Sequence, residues 1–244
     1  MRIFLTCLTL PLTFLLASSA LAEGYYRIEN GGSIVEYPSF SAFLSNTGST
    51  VGTVAGYGND AGFFYDFERE TFFRVDETGT IFEYASIADL ASDTGATSHA
   101  TIATYGNDAG FMHDPVRGRY YRIEDGASIV EYLTFADFIA NANPIVLHNV
   151  PTYFDDADFF YDASRSSYFR VGNGGEVTEY DTFADFAANT NPTVHAVIGT
   201  YGNDAGFFAF LGPKVPLLPG WGVAALALLL LAAGGAGAAG RRNR

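Results

Sequence analysis

One cysteine, one tryptophan and only 13 lysine plus arginine residues occur in 244, and each scarcity removes a class of explanation. A single cysteine excludes a disulfide framework and any zinc site built on thiolates. Charged residues are 16% of the chain, and no basic cluster is available to neutralise phosphates, so no nucleic-acid partner is expected. There is no G-x-S-x-G elbow, no H-E-x-x-H pair and no phosphate loop. The chain therefore reads as a non-enzyme. Against these absences stand 22 phenylalanines, 15 tyrosines and 27 glycines, a composition that excludes disorder for most of the length.

The two ends read as addresses. Residues 1–22 combine Arg2, an apolar stretch from Ile3 to Leu16 and Ala20-Leu21-Ala22, the pattern of a cleaved secretory signal. The other end, 213–244, carries Val215-Pro216-Leu217-Leu218-Pro219-Gly220-Trp221-Gly222, an uncharged run to Gly240 and a basic terminus ending at Arg244. The run from Leu217 to Gly240 is long enough to cross a bilayer as a helix, which takes about 20 residues. A proline motif, a hydrophobic helix and a basic tail in that order resemble the C-terminal sorting signals of Gram-negative bacteria. Val215, Pro216, Leu218, Trp221 and Gly222 follow the IPTL type, which is handled by exosortase-class or rhombosortase-class proteases. The resemblance implies export across the inner membrane, at least transient membrane anchoring and a sorting protease as partner. The cell surface or extracellular matrix is the implied destination.

Between the ends, residues 23–212 hold all 27 acidic residues, 8 arginines and no lysine, a net charge of −19. Such a surface stays soluble and attracts cations. The body is one unit written four times. Tyr57-Gly58-Asn59-Asp60-Ala61-Gly62-Phe63-Phe64 recurs from Tyr105, in altered form from Tyr153, and from Tyr201, always 48 residues on. A Tyr-Tyr-Arg-Ile block at Tyr25 returns at Phe72, Tyr120 and Tyr168.

Within a unit, aromatic and β-branched runs flank a glycine turn, which predicts a hairpin. Arg27 to Glu36, Arg74 to Glu83, Arg122 to Glu131 and Arg170 to Glu179 each span nine positions, with a glycine at every midpoint. A two-residue primed turn there sets each arginine opposite its glutamate as a structural ion pair, with Tyr26 opposite Tyr37 and Ile28 opposite Val35. A short helix follows each hairpin, capped by Ser39, Ser86, Thr134 or Thr182. Further strands are expected at sites such as Ala100 to Tyr105 and Phe63 to Asp66.

Strands apolar on both faces need cover on both, and radial stacking supplies it. The body begins at the hairpin block and stops after the last Asp-Ala-Gly-Phe block, so the two partial units add to one blade. The fold class is therefore mainly β, a four-bladed β-propeller closed by its own ends. Asp60-Ala61-Gly62-Phe63 and its copies from Asp108, Asp156 and Asp204 resemble the Asp-Ala-Ala-Phe motif of hemopexin-like four-bladed propellers. The resemblance implies axial carbonyls at Ala61, Ala109, Ala157 and Ala205 that can hold cations.

Three sets of side chains are candidates for chemistry. Asp60, Asp108, Asp155, Asp156, Asp158 and Asp204 supply the hard oxygens calcium prefers, although the same residues serve ordinary turns. His99, His148 and His195 recur ahead of the Tyr-Gly block and would form a three-histidine metal site if the positions converged on the axis, while His113 reads as a solvated turn residue. Rows of Tyr and Phe suit either a carbohydrate face or packing between blades. Apart from calcium, no cofactor is implied. The composite expectation is an exported, non-catalytic binding or structural protein whose partner is a surface polysaccharide or protein. The competing expectation is a periplasmic or extracellular hydrolase on the same propeller, acting on carbohydrate polymer through an axial metal or an acidic pair, with Asp156 and Asp158 the residues whose substitution tests it.

Overall fold

A computed structural model describes residues 23–29, 31–55, 62–102, 110–124, 128–149, 158–172, 174–198 and 206–211, all within the unit Ala22–Gly212. In chain order, β1 (Glu23–Ile28) and β2 (Ser33–Tyr37) form a hairpin, followed by α1 (Phe40–Leu44) and β3 (Ser49–Thr53). The next unit is β4 (Gly62–Asp66), β5 (Thr71–Val75), β6 (Thr80–Tyr84), α2 (Ile87–Ser92) and β7 (Thr97–Thr101). It repeats as β8 (Gly110–Asp114), β9 (Arg119–Glu124), β10 (Ser128–Tyr132), α3 (Phe135–Ala140) and β11 (Ile145–Asn149). The fourth copy is β12 (Asp158–Asp162), β13 (Ser167–Val171), β14 (Glu176–Tyr180), α4 (Phe183–Ala188) and β15 (Thr193–Val197), and β16 (Gly206–Leu211) ends the fold.

These strands make four antiparallel four-stranded sheets, a mainly β, four-bladed propeller. Three sheets are continuous in sequence, and the fourth runs β16-β1-β2-β3. This closing blade joins the two ends of the body, with Glu23 opposite Leu211 and Ile28 opposite Gly206. The inner strands β4, β8, β12 and β16 neighbour one another around the axis. β4, β8 and β12 are buried at every position, which is why their sequences run apolar without alternating.

Four hydrophobic clusters fill the four seams between blades. Each helix has only five or six residues, too few to stand alone in water. Ser39, Ser86, Thr134 and Thr182 cap them as the sequence predicts, each side chain accepting from the backbone N–H three residues on. Phe43, Leu90, Phe138 and Phe186 then anchor one helix into each cluster.

The hairpin register departs from expectation by one residue. Arg27 lies opposite Val35, Arg74 opposite Phe82, Arg122 opposite Val130 and Arg170 opposite Thr178. The glutamates Glu36, Glu83, Glu131 and Glu179 face Tyr26, Phe73, Tyr121 and Phe169 instead. The cause is the turn. Gly79 N–H donates to Asp76 O and Asp76 N–H to Thr80 O, enclosing three residues, and Gly79 takes φ 82°, a left-handed value that glycine adopts without cost. The turns ending at Gly32 and Gly175 bond in the same way. A one-residue slip flips a strand's faces, so arginine and glutamate of each expected pair sit on opposite sides of the sheet. The anticipated ion pairs do not form. Tyr26 and Ile28 likewise face Glu36 and Ile34 rather than Tyr37 and Val35. Of the strand expected at Ala100 to Tyr105, Ala100 and Thr101 belong to β7 and residues 103–105 lie outside the described residues.

Candidate functional site

A recurring set of charged and hydroxyl groups gathers at the seams between blades. In the second blade, Asp66 ends β4 and its Oδ1 accepts from the N–H groups of Glu68 and Arg69, holding the turn to β5. Its Oδ2 accepts from the Tyr120 hydroxyl of the third blade at 2.6 Å. Asp114 accepts likewise from Val116, Arg117 and the Tyr168 hydroxyl, and Asp162 from Ser164, Arg165 and the Tyr25 hydroxyl. All three carboxylates are buried and fully engaged. Burial, reinforced by the aspartates, pushes the Tyr120 and Tyr168 hydroxyls far above the ordinary tyrosine range. Both stay protonated as donors.

The turn that starts with each aspartate carries an arginine three positions later, and this arginine is the true partner of the strand glutamate. Arg69 donates to both oxygens of Glu83, each at 3.0 Å, and lies 4.3 Å from the ring centre of Phe135 on the next blade. Arg165 repeats the arrangement on Glu179 and Phe40. Arg117 holds Glu131 at 2.8 Å and covers Phe183. His99 and His195 add a bond to Glu83 and Glu179 and pack edge-on against Phe135 and Phe40. Each fastening thus couples an ion pair to a cation–π contact across a seam. Burial raises the Glu83 carboxyl, but His99, Thr71 and Arg69 outweigh it and hold it below the usual range. Glu179 is held low in the same way by Arg165, His195 and Ser167.

Arg27, Arg74 and Arg122 work on the other face of the hairpin. Arg27 donates to Asn46 at 2.9 Å, Arg74 lies 3.5 Å from Asp93, and Arg122 reaches Asn141, all 19 positions on and just past the helices. That interval, and the Asp-x-x-Arg recurrence at 66, 114 and 162, were the sequence signals for the real pairings.

One seam differs throughout. Between the closing and second blades, Phe210 stands where Asp66, Asp114 and Asp162 stand elsewhere, and Phe72 replaces the tyrosine; their ring centroids are 5.3 Å apart. Ile87 opens α2 in place of the phenylalanine, and Val51 takes the place of His99 and His195 on the outer strand. The physical reason lies in the closure. β16 and β1 are the two ends of the body, so no Asp-x-x-Arg turn joins them. Glu36 remains at the glutamate position, accepting from the Tyr26 hydroxyl at 2.9 Å with no cationic partner among the described residues.

Among the expected cation ligands, only Asp158 is described; Asp60, Asp108, Asp155, Asp156 and Asp204, with the alanines of the implied axial carbonyls, lie outside the described residues. Asp158 opens β12 and is completely buried. Its Oδ1 accepts from Phe159 N–H and its Oδ2 from Phe207 N–H, both at 2.7 Å, with Phe111 N–H also contributing. The equivalent residues are Gly62, Gly110 and Gly206, and a Cβ on Gly110 would collide with the Asp158 carboxylate. Burial drives this carboxyl well above the ordinary aspartate range, against those backbone donors. The Asp158 carboxylate is thus taken up by backbone donors, and no cluster of three or more metal-ligating side chains surrounds it among the described residues.

The histidines are also reassigned. His99 and His195 lie on β7 and β15, which are outer strands, so they cannot meet on the axis; the side chain of His148 lies outside the described residues. His113 is not a solvated turn residue but part of β8, 1% exposed and stacked on Tyr120. Its Nδ1 accepts from Phe67 N–H at 3.0 Å, and burial lowers its proton affinity. No group of His, Cys, Asp or Glu among the described residues is arranged to hold a metal ion. No helix among them is long and apolar enough to cross a membrane, and the run 217–240 lies outside them.

No family model and no curated protein matches the sequence. Among solved structures, the chain is similar to a symmetrical protein studied for its de novo evolutionary emergence, at 13% identity and TM-score 0.43, over 70% of this chain and 73% of that one. A chain of a nidogen/laminin complex gives 13% identity and TM-score 0.39, over 70% of this chain and 60% of that one. An auxiliary nutrient binding protein from Bacteroides ovatus gives 12% identity and TM-score 0.39, over 69% of this chain and 38% of that one.

Proposed function

We propose that this chain is an exported, surface-associated or matrix-associated binding or structural protein without catalytic activity, held in the membrane by its C-terminal segment until a sorting protease acts. The observation that carries the non-catalytic part is the employment of the recurring carboxylates among the described residues. Asp66, Asp114, Asp162, Glu83, Glu131 and Glu179 are each bound to turn N–H groups, tyrosines or arginines of the fastenings. General acid–base catalysis needs a carboxyl group free to exchange a proton with substrate. The apolar and sorting segments at the two ends support the export part.

Two measurements test the reading. The mass of protein extracted from the producing cell's surface is expected to end near Pro216, and retention of Arg244 would leave a plain anchor in place of a sorted protein. Incubation with a polysaccharide library is expected to give no turnover. Hydrolysis that disappears in Asp158→Asn would instead establish the enzyme.

A further inference from the structure

We propose that the seam between the closing and second blades is a notch for an arginine side chain supplied by a partner protein, with Glu36 as its carboxylate and Ile87, Val51 and Phe210 as its apolar surroundings. The inference names a partner chemistry for the binding role above and rests on that reading.

The other three seams are the template. In each, an arginine from the turn after the inner strand reaches a glutamate on the third strand and covers the first residue of the next blade's helix: Arg69 with Glu83 and Phe135, Arg117 with Glu131 and Phe183, Arg165 with Glu179 and Phe40. The third blade shows how close the fourth case is. Glu131 Oε2 accepts from the Tyr121 hydroxyl and from Arg117, both at 2.8 Å. Tyr26 is the counterpart of Tyr121 and bonds Glu36 in the same way, so that among the described residues only the guanidinium is missing. The closing blade cannot supply it from a β16–β1 turn, because that turn does not exist.

The walls fit a guest side chain. Val51 is 46% exposed, and Ile87, Phe210 and Glu36 are partly exposed rather than sealed. An arginine stem covers such apolar surface while its planar fork meets the carboxylate. The body's charge of −19 draws a basic segment toward it. Arginine is preferred over lysine because its planar guanidinium bonds carboxylate and tyrosine hydroxyl together, as Arg117 bonds Glu131 and Tyr121.

The test uses the full-length chain in detergent and a labelled, blocked peptide copying Asp162–Ser166, which contains Arg165. Binding is read by fluorescence anisotropy and competed with N-acetyl-arginine amide. The expected result is saturable binding that weakens about tenfold in Glu36→Gln, as loss of a charge-assisted pair implies. Ile87→Phe, which restores the aromatic platform of the other seams, is expected to strengthen binding severalfold. No binding, equal binding of a lysine-for-arginine peptide, or indifference to Glu36→Gln with an unchanged melting curve overturns the notch. So does a self-dimer that Glu36→Gln dissolves, because the occupant is then a second copy. Failure here alongside polysaccharide capture leaves the broader binding role standing, whereas polysaccharide hydrolysis removes that role whatever the peptide does.

Discussion

Phe72 and Phe210 meet, with ring centroids 5.3 Å apart, where the other three seams place a tyrosine hydroxyl on an aspartate. The aspartate belongs to a turn, and the closing blade has no turn at that corner. An aspartate at 210 would lack the inter-strand turn whose N–H groups hold Asp66, Asp114 and Asp162, and a tyrosine at 72 facing Phe210 would lack an acceptor. Replacing both partners by apolar groups avoids an unsatisfied hydroxyl at buried position 72 and a poorly held carboxylate at half-buried position 210, a substitution that is nearly neutral when the shapes match.

The coupling is measurable by a double-mutant cycle. Tyr120→Phe removes one of the donors to Asp66 and is expected to cost about 1–3 kcal/mol in thermal or urea unfolding. Phe72→Tyr and Phe210→Asp are each expected to destabilise, and together to cost less than their sum by about 1 kcal/mol. Strict additivity would mean that the two rings pack independently.

A second cycle separates the observed hairpin register from the one suggested by spacing. Arg69→Ala and Glu83→Ala are expected to be non-additive by about 1 kcal/mol, the upper range for a partly exposed pair with good bidentate geometry. Arg74→Ala and Glu83→Ala are expected to add within error, since they occupy opposite faces of the sheet. Coupling between Arg74 and Glu83 would restore the register that the three-residue turn rules out.

That register marks the limit of what the residues alone disclose. Blade number, the joining of first and last strands, and the caps Ser39, Ser86, Thr134 and Thr182 are legible, because each follows from repetition or from a local preference written four times. Pairing across the hairpin is not legible, because a glycine at the midpoint suits both a two-residue primed turn and a three-residue turn with a left-handed last residue. The choice between them moves every side chain to the other face. Arg69, Arg117 and Arg165 escape notice for another reason: they recur in three units and not in the fourth, and only the closed ring explains the gap. His113 is misjudged because Phe-Met-His-Asp obscures its alignment with the Phe-Phe-Tyr-Asp strands β4 and β12.

Close approach at the axis gives a steric prediction. A methyl group on Gly110 would run into Asp158 and into Phe159, both of them buried. Gly110→Ala is therefore expected to destabilise by about 1–3 kcal/mol, the ordinary cost of overpacking a core. Pairing it with Asp158→Gly, which removes the obstructing carboxylate, is expected to relieve part of that loss. A Gly110→Ala protein that melts like the parent would place the carboxylate elsewhere.

The carboxylates also predict two opposite responses to acid. Asp158 binds its proton more tightly in the folded chain than in the unfolded one, so its contribution is greatest below the ordinary carboxylate range and is lost as pH climbs through its raised value. Glu83 and Glu179 bind theirs less tightly, so their contribution is present above that range and is lost as pH falls through their lowered values. Melting temperatures measured from acid to neutral pH separate the effects. Relative to the parent, Asp158→Asn is expected to gain as pH rises, because the variant has no proton to lose. The Glu83→Gln, Glu179→Gln double variant is expected to fall behind the parent near neutrality and to close the gap in acid, where the parent's fastenings lose their charge. Parallel curves for the parent and Asp158→Asn would mean that the three backbone donors, not burial, set the state of the axial carboxyl.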